Sequence, residues 1–159
     1  MKTRLTLFFI VVASFFVQAQ NTEACTETLS LMSTSVKAKD VTAYDYLTTL
    51  RKDCPSFHKS IYSLGEFAVK LKIEKATTPQ DKEKYVRDLL KLYDEHDQYF
   101  PNNGAGNKMK KGLALFENKI GTSDEVFQLL DVAFKTDYAN CKYAKAMYVY
   151  FEILVNKHK

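Results

Sequence analysis

The fold is decided by residues 78–101, whose sequence is TPQDKEKYVRDLLKLYDEHDQYFP. Thr78 is a suitable helix cap, and Pro79 suits the first helical position because its missing N–H has no helical partner there. Apolar residues then recur at spacings of three and four, which is the period of an amphipathic helix. Tyr99-Phe100-Pro101 stops the run. The stretch therefore predicts one helix with a defined start and a defined end.

The same pattern recurs along the chain and predicts seven helices. Pro55 ends the second, because the residue before a proline is pushed out of the helical region, and Ser56 is the predicted cap of the third. Gly121 is the predicted end of the fifth, and Thr122-Ser123-Asp124-Glu125 forms a capping box for the sixth. The seventh, 143–155, contains residues with strand propensity. The predicted apolar stripe of the third helix is Phe57, Ile61, Leu64, Ala68 and Leu71.

Two stretches of the chain repeat each other. Residues 46–55 parallel residues 90–101, and their terminal prolines are 46 positions apart. Gly65 and Gly112, which follow these stretches, are 47 positions apart. A period in the forties that is built of two helices is typical of an α-solenoid. We therefore predict an all-α fold, an α-solenoid of about three antiparallel helical hairpins plus a seventh C-terminal helix.

The first residues have the composition of an export signal. Lys2 and Arg4 precede an uncharged apolar run, residues 5–17, which is too short to span a bilayer comfortably. The small residues that follow predict a signal peptide at 1–19 and a single helical-repeat domain at 20–159. Removing 19 of the 159 residues leaves 140, enough for one domain with a core of its own.

Composition limits the classes of partner and the location. Cleavage removes two basic residues and lowers the net charge from +4 to +2, which is too small to indicate nucleic-acid binding. No cysteine follows the apolar run directly, so we expect no lipid anchor. We also expect no transmembrane segment after signal cleavage. The expected product is exported, to the periplasm, the outer membrane or the medium.

Three cysteines in an exported chain leave one outside any disulfide. The first helix rises for about 14 residues from Cys25, and the second descends for about 12 to Cys54, so that the two cysteines return to one level. We predict a disulfide between Cys25 and Cys54. Cys141 is interpreted as a partly buried small hydrophobic residue, the alternative being an intermolecular bond.

Candidate catalytic or metal-binding residues do not cluster in the sequence. The histidines at 58, 96 and 158 have no paired spacing, and zinc sites require such pairs or Cys-x-x-Cys. Gly104-Ala105-Gly106 lacks the strand before it and the lysine after it that a phosphate-binding loop needs. We therefore assign no catalytic, cofactor-binding or metal-binding residue, expect no cofactor, and predict that the protein is not an enzyme.

Several stretches together carry a resemblance to a known class of protein. They are the predicted signal peptide, Cys54-Pro55, residues 62–66, Tyr99-Phe100-Pro101 and residues 146–151. With them the chain resembles the exported tetratricopeptide-like helical-repeat proteins of Gram-negative envelopes. It departs from them in having a repeat longer than about 34 residues and no tryptophan. The resemblance implies a scaffold that binds protein or peptide along the concave face of its helices.

The seventh helix has no predicted partner and is apolar on nearly all sides. The alternatives are self-association, docking of another protein, continuation of the array in a longer chain, or burial against helices five and six. The candidate interface residues are Met147, Tyr148, Tyr150, Phe151 and Leu154.

Some tyrosines and lysines could indicate a binding face, but they have simpler structural interpretations. Tyr44, Tyr62, Tyr85 and Tyr93 lie near helical stripes and are expected in the core, although tyrosine is also favoured at binding faces. The lysine-rich stretches 70–72 and 108–111 are interpreted as solvated helix faces.

The expected function is a non-enzymatic envelope module that binds an unknown protein or peptide. The alternative is a structural spacer with no dedicated ligand site.

Overall fold

In the computed structural model, the described residues are 22–101, 106–136 and 138–157, and their regular elements are all helical. The predicted all-α class is therefore confirmed, whereas the predicted signal peptide lies outside the described residues. Among the described helices, none is both long enough and apolar enough to cross a membrane. The helices are α1 (22–37), α2 (Ala43–Asp53), α3 (Ser60–Lys75), α4 (Pro79–Tyr99), α5 (Gly106–Asn118), α6 (Ser123–Thr136) and α7 (Ala144–Lys157), with a 3-10 turn, Tyr138–Asn140, before α7.

Two of the predicted helix starts are confirmed by side-chain caps. The hydroxyl of Thr78 accepts a hydrogen bond from the backbone N–H of Asp81 at 3.0 Å, and Pro79 is the first residue of α4. The hydroxyl of Thr122 likewise accepts from the N–H of Glu125 at 3.2 Å. Each cap satisfies one of the N–H groups that the first turn of a helix leaves without a helical partner.

The predicted start of α3 and the predicted end of α5 are wrong. After Pro55 the chain forms a turn, and α3 begins at Ser60, whose N–H donates to Nδ1 of His58 at 3.1 Å. Phe57, expected in the apolar stripe of α3, is therefore exposed. Helix α5 ends at Asn118 and not at Gly121, because Lys119 already adopts a left-handed backbone with φ 58°.

The core lies between helices that are neighbours in sequence. From α2 onward each helix packs against the next, and α7 contacts both α6 and α5. Gly65 of α3 allows close approach, because a Cβ there would meet Leu47 of α2 at 2.6 Å and Leu92 of α4 at 3.3 Å. The largest fully buried side chains are Tyr62, Met32, Leu47, Leu50, Ile61, Leu89, Leu92, Met109, Leu115, Leu130, Val69 and Val86.

Polar contacts join helices that are two apart in the chain. The Tyr44 hydroxyl donates to Asp88, Arg51 donates to Glu95, and Lys110 donates to Glu66, and in all three pairs the partners are 44 positions apart. These contacts connect α2 to α4 and α3 to α5. Two further pairs between helices two apart have other separations, 37 positions for Arg51 and Asp88 and 38 positions for Arg87 and Glu125.

Candidate functional site

The structure brings the two cysteines of the predicted disulfide together. Cys25 of α1 and Cys54, directly after α2, lie at disulfide distance, with Cα atoms 6.0 Å apart. Both are buried. Cys141 lies outside this bond, and its thiol points to the carbonyl oxygen of Ala133 at 3.7 Å. The pair therefore ties the first helix of the described chain to the end of the second.

His96, the histidine with acidic sequence neighbours, is part of an aromatic cluster. Its ring stacks on Tyr62 with centroids 5.1 Å apart, and Phe100 meets it edge-on at 6.2 Å. The side-chain nitrogen of Asn107 lies 3.3 Å from its Nδ1 and donates to Asp97 at 2.7 Å. Burial lowers the pKa of His96. In the described part of the chain, no group of three or more His, Cys, Asp and Glu side chains could hold a metal ion.

The residues of the predicted interface on α7 do not share one surface. Tyr150 is buried in the core, because its ring stacks on Phe127 and Phe134 and its hydroxyl donates to Asp131 at 2.9 Å. Met147 and Leu154 are half-buried. The exposed face consists of Tyr148, Phe151 and Val155, exposed by 69%, 47% and 54%. Tyr150 is therefore removed from the candidate interface residues, and the exposed Val155 is added to them.

A groove of about 620 Å³ lies between α3, α4 and α5, and Tyr143 is also among its lining residues. We call it the α3–α4–α5 groove. Each helix contributes one stripe of residues at helical spacing, so the three stripes face a common space. The lining residues are Glu66, Lys70, Ile73, Glu74 and Ala76 from α3 and its end, Lys82, Leu89 and Tyr93 from α4, Lys110, Leu113, Ala114, Glu117 and Asn118 from α5, and Tyr143.

The middle of the groove is polar and tightly connected. Glu66 accepts hydrogen bonds from Lys70 at 2.6 Å and from Lys110 at 2.8 Å. Burial acts to raise the pKa of Glu66, but the hydrogen bonds from the two lysines outweigh it and hold the pKa below its usual range. Burial raises the pKa of the nearby Tyr93 hydroxyl above its usual range, and the charge of Glu66 raises it further. Glu66 is therefore ionised at neutral pH.

The interpretation of the lysine-rich stretches as solvated faces is wrong for two residues. The side chain of Lys110 is 28% exposed and that of Lys111 is 17% exposed, because they bind Glu66 and Asp94 across helices. In the sequence, Glu66, Lys70 and Ile73 show helical spacing, as do Lys110, Leu113 and Glu117, but nothing there indicates that the two stripes face each other.

A further groove of about 400 Å³ lies between α4, α5 and α6 and includes Leu90, Leu129 and Val132 among its lining residues. It is smaller than the α3–α4–α5 groove, and three of its charged residues, Asp94, Lys111 and Glu125, are in ion pairs.

Comparison with known proteins gave no match, whether to family models, to curated proteins or to solved structures. The candidate site therefore rests on the geometry of this chain alone, and the α3–α4–α5 groove is the larger of the two.

Proposed function

We propose that the protein is a non-enzymatic helical-repeat module of the cell envelope that binds a protein or peptide segment in the α3–α4–α5 groove. The observation that carries the proposal is the groove itself, whose lining combines apolar side chains such as Leu113 with the charged cluster of Glu66, Lys70 and Lys110. Its volume of about 620 Å³ lies within the range of about 300 to 1,000 Å³ that is typical of ligand-binding clefts. A cleft of this size can hold part of a peptide segment.

Contacts between helices that are two apart in the chain support an array of repeats. Three hydrogen-bonded pairs with partners 44 positions apart connect helices that are two apart in the chain. In our proposal the helices form antiparallel hairpins stacked as an α-solenoid, in which each unit contacts its neighbours and the inner helices line a continuous surface. The groove is then one section of that surface.

A location in the envelope is supported by the cysteine pair. Disulfides persist in oxidising compartments such as the periplasm and are rare in the cytosol, where thiols are kept reduced. Cys25 and Cys54 lie at disulfide distance and are buried together. With the predicted signal peptide, this favours export to the periplasm, the outer membrane or the medium.

The proposal is tested by selecting binders from a phage-displayed library of random heptapeptides. The selected peptides are synthesised, and their affinities are measured by isothermal titration calorimetry. Leu113→Arg places a long charged side chain at a groove-lining position, so we expect binding to fall at least tenfold. The matched control is Phe116→Arg on the same helix, because Phe116 is exposed and lies outside the groove lining.

Equal binding to the wild type and both variants would place any peptide site elsewhere and would contradict the proposal. A selection that yields no binder above background would count against it in the same way. Circular dichroism and thermal unfolding show whether each variant is folded before its affinity is compared.

A structural spacer is the second candidate, favoured by the exposed face of α7. Tyr148, Phe151 and Val155 recur at positions i, i+3 and i+7, so they form one apolar stripe that suits contact with a second copy or a neighbouring domain. Crosslinking with mass spectrometry in the native envelope separates the candidates. Crosslinks confined to α7 favour the spacer, and crosslinks at the groove favour the binding module.

A further inference from the structure

The middle of the α3–α4–α5 groove has one carboxylate and two ammonium groups. Lys70 and Lys110 bind different oxygens of Glu66, at 2.6 and 2.8 Å. One carboxylate neutralises only one of the two lysines, so this cluster has a net charge of +1. Each ammonium group has three N–H donors, and the hydrogen bond to Glu66 uses one of them. The cluster can therefore donate further hydrogen bonds to an anion.

The other charges along the groove do not cancel this excess. Glu117 is paired with Lys145, which lies outside the lining. Glu74 and Lys82 have opposite signs and compensate each other in net charge. The groove lining itself has three lysines and three glutamates, and an excess of one positive charge remains because Glu117 is neutralised by Lys145 from outside the lining. The excess positive charge is located at Lys70 and Lys110.

Apolar residues line the groove beside Lys110. The ammonium group of Lys110 is 5.5 Å from the centroid of the Tyr93 ring, but the side chains of Tyr93 and Leu89 are almost completely buried. Leu113, which is half-buried, lines the same space. A ligand bound at Lys110 would therefore have Leu113 as its apolar contact in the groove.

From this charge pattern we infer that the ligand is a polypeptide segment with an acidic residue next to an apolar one. The carboxylate binds between Lys70 and Lys110, and the apolar side chain packs against Leu113. Charge-assisted hydrogen bonds of this kind are about twice as strong as neutral ones. A cationic segment meets net repulsion, which gives selectivity through charge. The inference rests on the proposed function and adds the chemistry of the bound segment.

The test uses the heptapeptides selected on the purified, disulfide-bonded protein. We expect most of them to contain Asp or Glu adjacent to an apolar residue. Lys110→Met should weaken binding of such a peptide at least tenfold, whereas Lys110→Arg retains the charge and should retain most of the affinity. Lys108→Met is the matched control, since it removes the same charge from the same helix at a position outside this groove.

A double-mutant cycle then locates the carboxylate. Replacing the acidic residue of the peptide by its amide should weaken binding to the wild type at least tenfold and binding to Lys110→Met less than threefold. Peptides rich in Lys or Arg, or equal losses in Lys108→Met and Lys110→Met, would overturn the inference. If such peptides are still blocked by Leu113→Arg, the proposed function stands and only the assigned chemistry fails.

Discussion

The two ends of the molecule are held together by different interactions. At the first end a disulfide ties α1 to the end of α2, and Arg51 joins α2 to two carboxylates of α4. At the other end α6 and α7 are joined by rings, with Phe127 and Phe134 stacked on Tyr150. The first end therefore has covalent and ionic constraints, whereas the second combines aromatic packing with an ion pair between Lys157 and Asp124. The difference predicts that a single change of conditions alters the stability of one end more than that of the other.

Removal of the disulfide should have the largest effect. Replacing both Cys25 and Cys54 by Ser releases a loop that spans 29 positions, and the chain-entropy model gives a loss of about 3 to 4 kcal/mol in the free energy of unfolding. Urea denaturation measures the loss. Hydrogen exchange should show faster exchange in α1 and α2 than in α6 and α7. Cys141→Ser is the control, and equal loss of protection at both ends would remove the contrast.

The next effect should come from the arginines that join helices two apart in the chain. Arg51 is 12% exposed and contacts Asp88 and Glu95, whereas Arg87 is 40% exposed and pairs with Glu125. Arg51→Met removes the arginine from two poorly solvated carboxylates, of which Glu95 keeps only a longer contact with Lys91 at 3.8 Å. The free energy of unfolding should fall by about 2 to 3 kcal/mol.

Arg87→Met is the matched variant for this pair. Its ion pair is solvated, so we expect a loss of below about 1 kcal/mol. Urea denaturation of the two variants under the same conditions gives the comparison. Losses of the same size would show that exposure does not set the strength of these ionic links.

The last comparison concerns two glycines that allow close packing, Gly65 of α3 against α2 and Gly112 of α5 against α6. An added Cβ at Gly65 would lie 2.6 Å from a terminal methyl of Leu47, whereas at Gly112 it would lie 2.6 and 2.7 Å from Cδ2 and Cγ of Leu130. A terminal methyl moves by rotation of the side chain, but Cγ is held close to the backbone. Overpacking costs about 1 to 3 kcal/mol, and replacing a helical glycine by alanine regains about 1.

We therefore expect Gly112→Ala to lower the free energy of unfolding by about 1 to 2 kcal/mol and Gly65→Ala to change it by about zero. Thermal unfolding of the two single variants provides the measurement. A larger loss for Gly65→Ala would mean that Leu47 is as confined as Leu130.

Local sequence signals predicted the helices well wherever one residue decides the backbone. Thr78 and Pro79 start α4 as expected, since capping and the fixed proline torsion act within one turn. Ser56 failed as a cap because the side chain of His58 accepts the N–H of Ser60. Two competing caps within a few residues cannot be ranked without the geometry of the turn.

The groove could not be predicted, because it depends on which helix faces pack together. Glu66 and Lys110 are 44 positions apart, and each alone resembles an ordinary surface charge. The cysteine pairing was easier to predict, since helix lengths alone bring Cys25 and Cys54 to one level. Tyr150 was assigned to the surface because α7 is apolar on most sides, and apolar composition does not show which side meets Phe127 and Phe134.

The link between Cys25 and Cys54 also determines how the chain responds to mechanical force. A pull applied to the segment before Cys25 passes through the sulfur atoms to Cys54 and bypasses the residues between them. The 29 positions of chain between the two cysteines cannot be pulled straight. At about 3.5 Å per residue, the disulfide prevents about 100 Å of extension. Tension from a tethered N-terminus would therefore reach α3 while α1 and α2 keep their length.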